Sequence, residues 1–229
     1  MATDRGDRSR CIYLVAGLAG LCGMIAACAA KTGTPLFGIM LYNAGVSWID
    51  QRPDDAMDGA FTALGPENVR TVEPAIFREA MSRLGAAVHV ITSAGPAGKA
   101  GTTATAVCSV SDAPPTLLVC LNRRSQTNSV VAQNGVFCVN TLAHGGAETA
   151  DRFAGRTGIR GADRFVGDEW SVLSTGSPAL SAAAVAFDCR VVEVRAVGSH
   201  NVYFGAVEMV RIGPSGPVLV YHERAYKRV

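Results

Sequence analysis

The sequence has 229 residues, 48% of them hydrophobic and 17% charged, which excludes intrinsic disorder over most of the chain and allows one domain with a sizeable core plus an extension. A net charge of +2, from 21 basic and 19 acidic residues, gives no strong attraction to nucleic acid or to an anionic membrane. Seven cysteines, at 11, 22, 28, 108, 120, 138 and 189, form no C-x-x-C pair; an odd, dispersed set argues against a disulfide framework or a zinc ribbon and for reduced, mostly buried thiols in a cytoplasmic protein.

The chain begins unlike the rest. Cys11 to Ala30 carries no charge and is long enough for a membrane span. Three readings fit it: an anchor, a lipoprotein export signal ending at Cys28, or an upstream extension outside the mature fold. Gly17, Gly20 and Gly23 dilute the run, and Asp4 and Asp7 spoil the basic start of a signal, so the third is preferred and a membrane role is not expected. Met57 is an alternative start. A turn-rich segment from Asp50 to Pro66 reads as a linker. The chain thus divides into an extension, 1–72, and a domain, 73–229.

Glu73-Pro74 opens a helix whose stripe is Ile76, Phe77, Ala80, Met81 and Leu84, with Gly85 as its stop. Ala87 to Thr92 is a β-branched strand that stops at the turn cluster Ser93 to Gly98. Thr102 to Ser111 reads as one long strand. After Pro114-Pro115, the apolar run Thr116 to Leu121 predicts a strand buried on both faces. Ser125 to Gln133 suits a short helix, Val136 to Thr141 a strand, and Gly146 to Phe153 a second short helix. Ala183–Val197, Val202–Ile212 and Val218–Tyr221 complete the strands. Many strands, few short helices and no regular alternation predict a mainly β fold, an antiparallel barrel with helical decoration. A Rossmann domain is not expected, since no G-x-G-x-x-G follows a strand; Gly95-Pro-Ala-Gly98 reads as a hairpin turn.

Catalytic devices are sparse: there is no H-E-x-x-H, Walker loop or G-x-S-x-G, and no set of residues at metal-ligand spacing. Of four histidines, His89 lies inside an apolar strand and reads as a core residue, and His144 as a loop residue. His200 follows Gly198-Ser199 at a strand-to-strand turn, where a side chain can project from a rim. Two polar stretches say more. Gly101-Thr-Thr-Ala-Thr-Ala106 sets small residues and hydroxyls where a flat ligand could approach the backbone. Asn122-Arg-Arg-Ser-Gln-Thr-Asn128, between a strand and a helix, suits a phosphate, although a Ser125 helix cap with a solvated arginine pair reads equally well. Together they outline a pocket for a flat, phosphorylated cofactor such as FMN.

Longer runs carry a resemblance: Phe77-Arg-Glu-Ala-Met-Ser-Arg-Leu-Gly-Ala-Ala-Val88, Ala106-Val-Cys-Ser-Val-Ser-Asp112, Pro114-Pro-Thr-Leu-Leu-Val-Cys-Leu-Asn-Arg123, Cys138-Val-Asn-Thr-Leu142 and Phe187-Asp-Cys-Arg190. With these, residues 74–226 resemble the flavin reductase family of two-component monooxygenases, in particular its branch serving bacterial pyrimidine utilisation. The resemblance implies a split antiparallel β-barrel that forms a homodimer and binds FMN, or FAD, near the subunit interface. It implies reduction of flavin by NADH or NADPH and delivery to a separate flavin-dependent monooxygenase, here one that opens a pyrimidine ring. By position it puts Thr103, Ala104 and Thr105 along the flavin ring edge, and Ser109, Val110 and Ser111 at the next contact. Asn122, Arg123, Ser125 and Thr127 fall at the phosphate, and Gly198-Ser199-His200 at the nicotinamide, with His200 in the catalytic role. Ser199 stands where the family often has Asp, and Ser holds a histidine tautomer more weakly. Two rival readings stay open: a flavin-storage protein of the same fold without turnover, and the reductase of an aromatic hydroxylase.

Overall fold

The computed structural model describes residues 70–229 and, before them, only two paired three-residue strands, β1 (Ile12–Leu14) and β2 (Ile25–Ala27). The rest of the run 11–30, Cys28, the linker 50–66 and Met57 lie outside the described residues. Met1–Arg70 and Thr71–Val229 are separate units, and every other described element belongs to the second.

Helix α1 (Pro74–Ser82) starts at its proline, as the sequence predicts, but its apolar stripe is not part of the core: none of its residues is buried, and Phe77 is 56% exposed. The chain then runs through β3 (Ala86–Ala87), β4 (His89–Gly95), β5 (Gly98–Ala104), β6 (Val107–Asp112), β7 (Pro115–Asn122), α2 (Gln126–Asn134), β8 (Val136–Leu142) and α3 (Ala147–Phe153). After a 3-10 turn at Gly161–Phe165 come β9 (Trp170–Val172), β10 (Pro178–Leu180), β11 (Ala183–Val197), β12 (His200–Ile212), β13 (Leu219–His222) and β14 (Ala225–Arg228).

Seven strands form one antiparallel sheet in the order β5-β4-β8-β11-β12-β7-β6. Its two edge strands, β5 and β6, are consecutive in sequence and separated only by Thr105 and Ala106. Three Cα–Cα steps span at most about 11 Å. The sheet must therefore curl until its edges almost meet at this corner. No ladder joins β5 to β6 among the described residues, so the curled sheet is split there. This corrects the single strand expected over Thr102–Ser111: the break at Thr105-Ala106 is what makes the barrel-like curl. A smaller sheet, β14-β13-β3, continues it, with Val88 N–H donating to the Leu219 carbonyl and the Val88 carbonyl accepting from Leu142 N–H.

Two apolar clusters fill the interior. One holds Val88, Leu142, Phe153, Phe165, Leu180 and Leu219, the other Ile91, Val119, Leu121, Val131, Phe137 and Tyr203. Gly205 is required in the second, since a Cβ there would lie 2.5 Å from the Phe137 ring. Polar groups tie the layers. Asn140, fully buried on β8, donates to the carbonyls of Val90 (3.0 Å) and Pro178 (3.3 Å) and accepts from Leu180 N–H (2.7 Å). His89 is also buried, with Nδ1 3.0 Å from the Thr141 hydroxyl, the core role expected of it.

The burial of β7 departs from expectation. Leu117, Val119 and Leu121 are buried, but Thr116, Leu118 and Cys120 on the opposite face are only half-covered. Strand register sets Cys108, Leu118 and Phe204 in one row on that face and Cys120 and Val202 in the next. The continuous apolar run therefore serves one core and one open apolar face.

Candidate functional site

The corner between the sheet edges is also the floor of a cleft. Thr105 and Ala106 cannot extend the ladder on both sides, so they form a short ledge. Val107 N–H donates to the Thr105 carbonyl and Cys120 N–H to the Ala106 carbonyl, both at 3.0 Å. At the other end the Thr103 hydroxyl donates to the carbonyl of Ala150 in α3, at 2.6 Å. Thr103 to Ala106 thus spans from α3 to β7, about 10 Å of extended chain. That length matches the long axis of a flat tricyclic ring, and the side chains are too small to hold such a ring off the backbone.

One wall is built by the ends of β7 and β12 and the start of α2. Asn122 and His200 are register partners, so their side chains share a face at the strand ends. The turn after β7 is held by its own polar groups: Asn122 Oδ1 accepts from Arg124 N–H (2.9 Å), and the Ser125 hydroxyl donates to the Asn122 carbonyl (2.8 Å) and accepts from Asn128 N–H (3.1 Å). Ser125 is thus the N-cap of α2, and this local signal is legible in the sequence. Arg123 N–H donates to the Ser199 carbonyl at 3.0 Å, locking the turn to the β11–β12 hairpin, whose Gly198 takes φ +53°. The Ser199 hydroxyl lies 2.8 Å from His200 Nδ1. An oriented imidazole therefore stands at the rim beside two exposed arginines.

The opposite wall comes from residues the sequence did not single out: Ala154 and Arg156 after α3, and Tyr221 and Tyr226 from the terminal hairpin. The tyrosine rings meet edge-on, centroids 5.5 Å apart. Tyr226 O–H donates to Asp151 Oδ1 at 3.0 Å; burial first, and this bond second, push its phenol up to about 12. No local pattern announces this wall, because its residues come from two segments joined only by the fold.

The cleft encloses about 380 Å³, within the range of small-molecule sites, roughly 300–1,000 Å³. It gathers Thr103, Ala104, Thr105, Asn122, Ser125 and His200. A second hollow of about 540 Å³, sharing Asn122, is lined by Arg123, Arg124, Gly198 and Ser199. Thr127 is buried within α2 and lines neither hollow, and Ser109, Val110 and Ser111 lie on β6 away from both. Cys120 reaches the cleft, its thiol pushed up by burial. Among the described residues no three His, Cys, Asp or Glu side chains converge as a metal site, and no helix is long and apolar enough to cross a membrane.

Comparison with known proteins bears on this geometry. Residues 81–229 match the model of the flavin reductase like domain. An FMN reductase (NADH) RutF 1 of Methylorubrum extorquens is 54% identical over 156 residues, covering 68% of this chain and 77% of that protein. A solved structure from Haemophilus somnus, assigned as a flavin reductase, is 38% identical with a TM-score of 0.66, covering 69% of this chain and all of its own. BorF, the flavin reductase component of a bacterial two-component tryptophan halogenase, is 25% identical with a TM-score of 0.64, over 69% of this chain and 98% of its own. A small-residue ledge in a split antiparallel sheet, the matching family model and a relative of this identity lead to one conclusion: the chain belongs to the flavin reductase family.

Proposed function

We propose that the protein reduces FMN with NADH and releases the reduced flavin to a separate monooxygenase. The observation that carries this is the meeting, in one cleft, of the ledge Thr103–Ala106, the turn residues Asn122 and Ser125 and the rim histidine His200, with Arg123 and Arg124 lining the hollow that shares Asn122. The residues fit the group. Small side chains on the ledge admit a planar ring, and Arg123, Arg124 and the α2 N-terminus suit a phosphate. Once bound, the flavin supplies the two-electron chemistry, accepting hydride from a dihydronicotinamide.

What the chain supplies is placement. The ledge sets the depth of the ring and offers backbone groups to its edge. The turn fixes the tail. His200, oriented by Ser199, orders the second reactant at the open side and can hold a proton there. That BorF belongs to a two-component system supports release of reduced flavin to a partner. The likeness to the pyrimidine-utilisation branch supports a pyrimidine-opening oxygenase as that partner, in the cytoplasm where NADH is generated. Residues 1–72 are read as an extension outside this machinery.

Purified protein given FMN should consume NADH well above the enzyme-free rate. His200→Ala should lower kcat/KM for NADH about tenfold or more, roughly 1.4 kcal/mol, with FMN affinity held within about twofold. Tight FMN binding without NADH turnover would instead identify a flavin-storage protein.

The open face of β6, β7 and β12 supports a homodimer. It carries Cys108, Leu118, Phe204 and Val202 and runs without interruption into the cleft at Cys120. A second copy seated there would bury the apolar rows and close the side of the cleft. Sedimentation should give a dimer, and Phe204→Asp a monomer that binds FMN more weakly; a monomeric wild type removes this reading.

A further inference from the structure

The reaction brings two anions into one cleft, and the arginines of the 122–125 turn serve only one of them. On the other wall, Arg156 is the one permanently charged cation lining the cleft among the described residues. We propose that Arg156 anchors the phosphates of the nicotinamide dinucleotide. This rests on the flavin phosphate lying at the 122–125 turn.

The surroundings of Arg156 point to orientation rather than to fold stability. Its Nη1 donates to Asp151 Oδ1 at 2.8 Å, and the same oxygen accepts the Tyr226 O–H. Side chains of the pair are 51% and 38% exposed, and a surface pair of that kind contributes about 0–1 kcal/mol. The guanidinium carbon lies 5.5 Å from the centre of the Tyr226 ring and 5.9 Å from that of Tyr221. The rings and the carboxylate thus hold a flexible side chain in one place. Asp151 itself does not line the cleft, so the cation is what an incoming ligand meets. A guanidinium fixed in advance gives up little rotamer freedom on binding a phosphate. Its neighbours on this wall are aromatic and aliphatic, and no carboxylate among the described lining residues competes with the ligand.

The test compares donors with and without phosphate. Arg156→Ala should raise KM for NADH about tenfold or more, Arg156→Lys should recover part of the loss, and the FMN dissociation constant, read by flavin fluorescence, should stay within about twofold. With N-benzyl-dihydronicotinamide, which has no phosphate, wild type and Arg156→Ala should turn over alike. An equal loss with that donor would make Arg156 a structural residue and overturn the proposal. So would an unchanged KM for NADH, or a loss confined to FMN affinity. A wild type that binds no FMN would overturn both this proposal and the reading beneath it.

Discussion

Between about pH 6.5 and 4 the folded protein should lose on the order of 3 kcal/mol of stability through one residue, His89. Burial disfavours its charged form and lowers its pKa from 6.5 to about 4. Between those values the unfolded chain binds a proton that the folded one refuses. The contribution is complete above pH 6.5, drains as pH falls through the window, and changes no further below about 4. A gap of roughly 2.5 units at 1.36 kcal/mol each gives the figure, or a Tm lower by about 10 °C for a domain of this size. The carboxyls of Glu79, Glu208 and Glu223, held below their usual range by hydrogen bonds to Arg224, Arg190 and Lys227, begin to lose their contributions at the acid end of this window and continue below it. His89→Gln keeps a polar group for Thr141 but cannot titrate. Its unfolding free energy, followed by urea denaturation at several pH values, should be nearly flat across the window. A slope equal to that of wild type would show the proton going elsewhere. The effect reaches the site, because His89 is the register partner of Ala104 on the ledge.

Range decides which features are legible in the sequence. Signals confined to one turn can be read: Pro74 at the start of α1, Ser125 as a cap, and Gly95 and Gly98 flanking a tight hairpin. Such signals also draw the ledge and the phosphate turn onto one ligand without any geometry. The break at Thr105-Ala106 is hidden because Thr and Val on both sides favour extended chain. Only the closing of the sheet decides where a strand must change edges. Periodicity in β7 cannot distinguish a strand covered on both sides from one whose second face stays open, since both read as Leu-Leu-Val. The α1 stripe misleads for a related reason: spacing shows that a face is apolar, not what covers it. Asn140 stands inside the family-like run Cys138–Leu142, but its task needs the carbonyls of Val90 and Pro178, which lie far along the chain. The Arg156 wall is beyond reach on the same grounds.

The largest functional effect should come from adding bulk to the ledge without touching the fold. Ala106 is exposed, lines the cleft, and uses only its backbone carbonyl to hold Cys120. Leucine at this position keeps that hydrogen bond and projects a branched side chain over the surface on which the ring must lie. A ring raised off the ledge gives up its backbone contacts, each about 1 kcal/mol, together with apolar burial at about 25 cal/mol per Å². Losses of that kind sum to roughly 3 kcal/mol, so Ala106→Leu should weaken FMN binding about a hundredfold. Stability should change by less than about 1 kcal/mol, because no core atom moves. Ala106→Gly, which removes bulk, should bind FMN within a few-fold of wild type. Flavin fluorescence titration of the three proteins, alongside their thermal unfolding, separates the cases. Should Ala106→Leu bind FMN as wild type does, the ring does not rest on Thr103–Ala106, and the flavin site has to be sought elsewhere in the cleft.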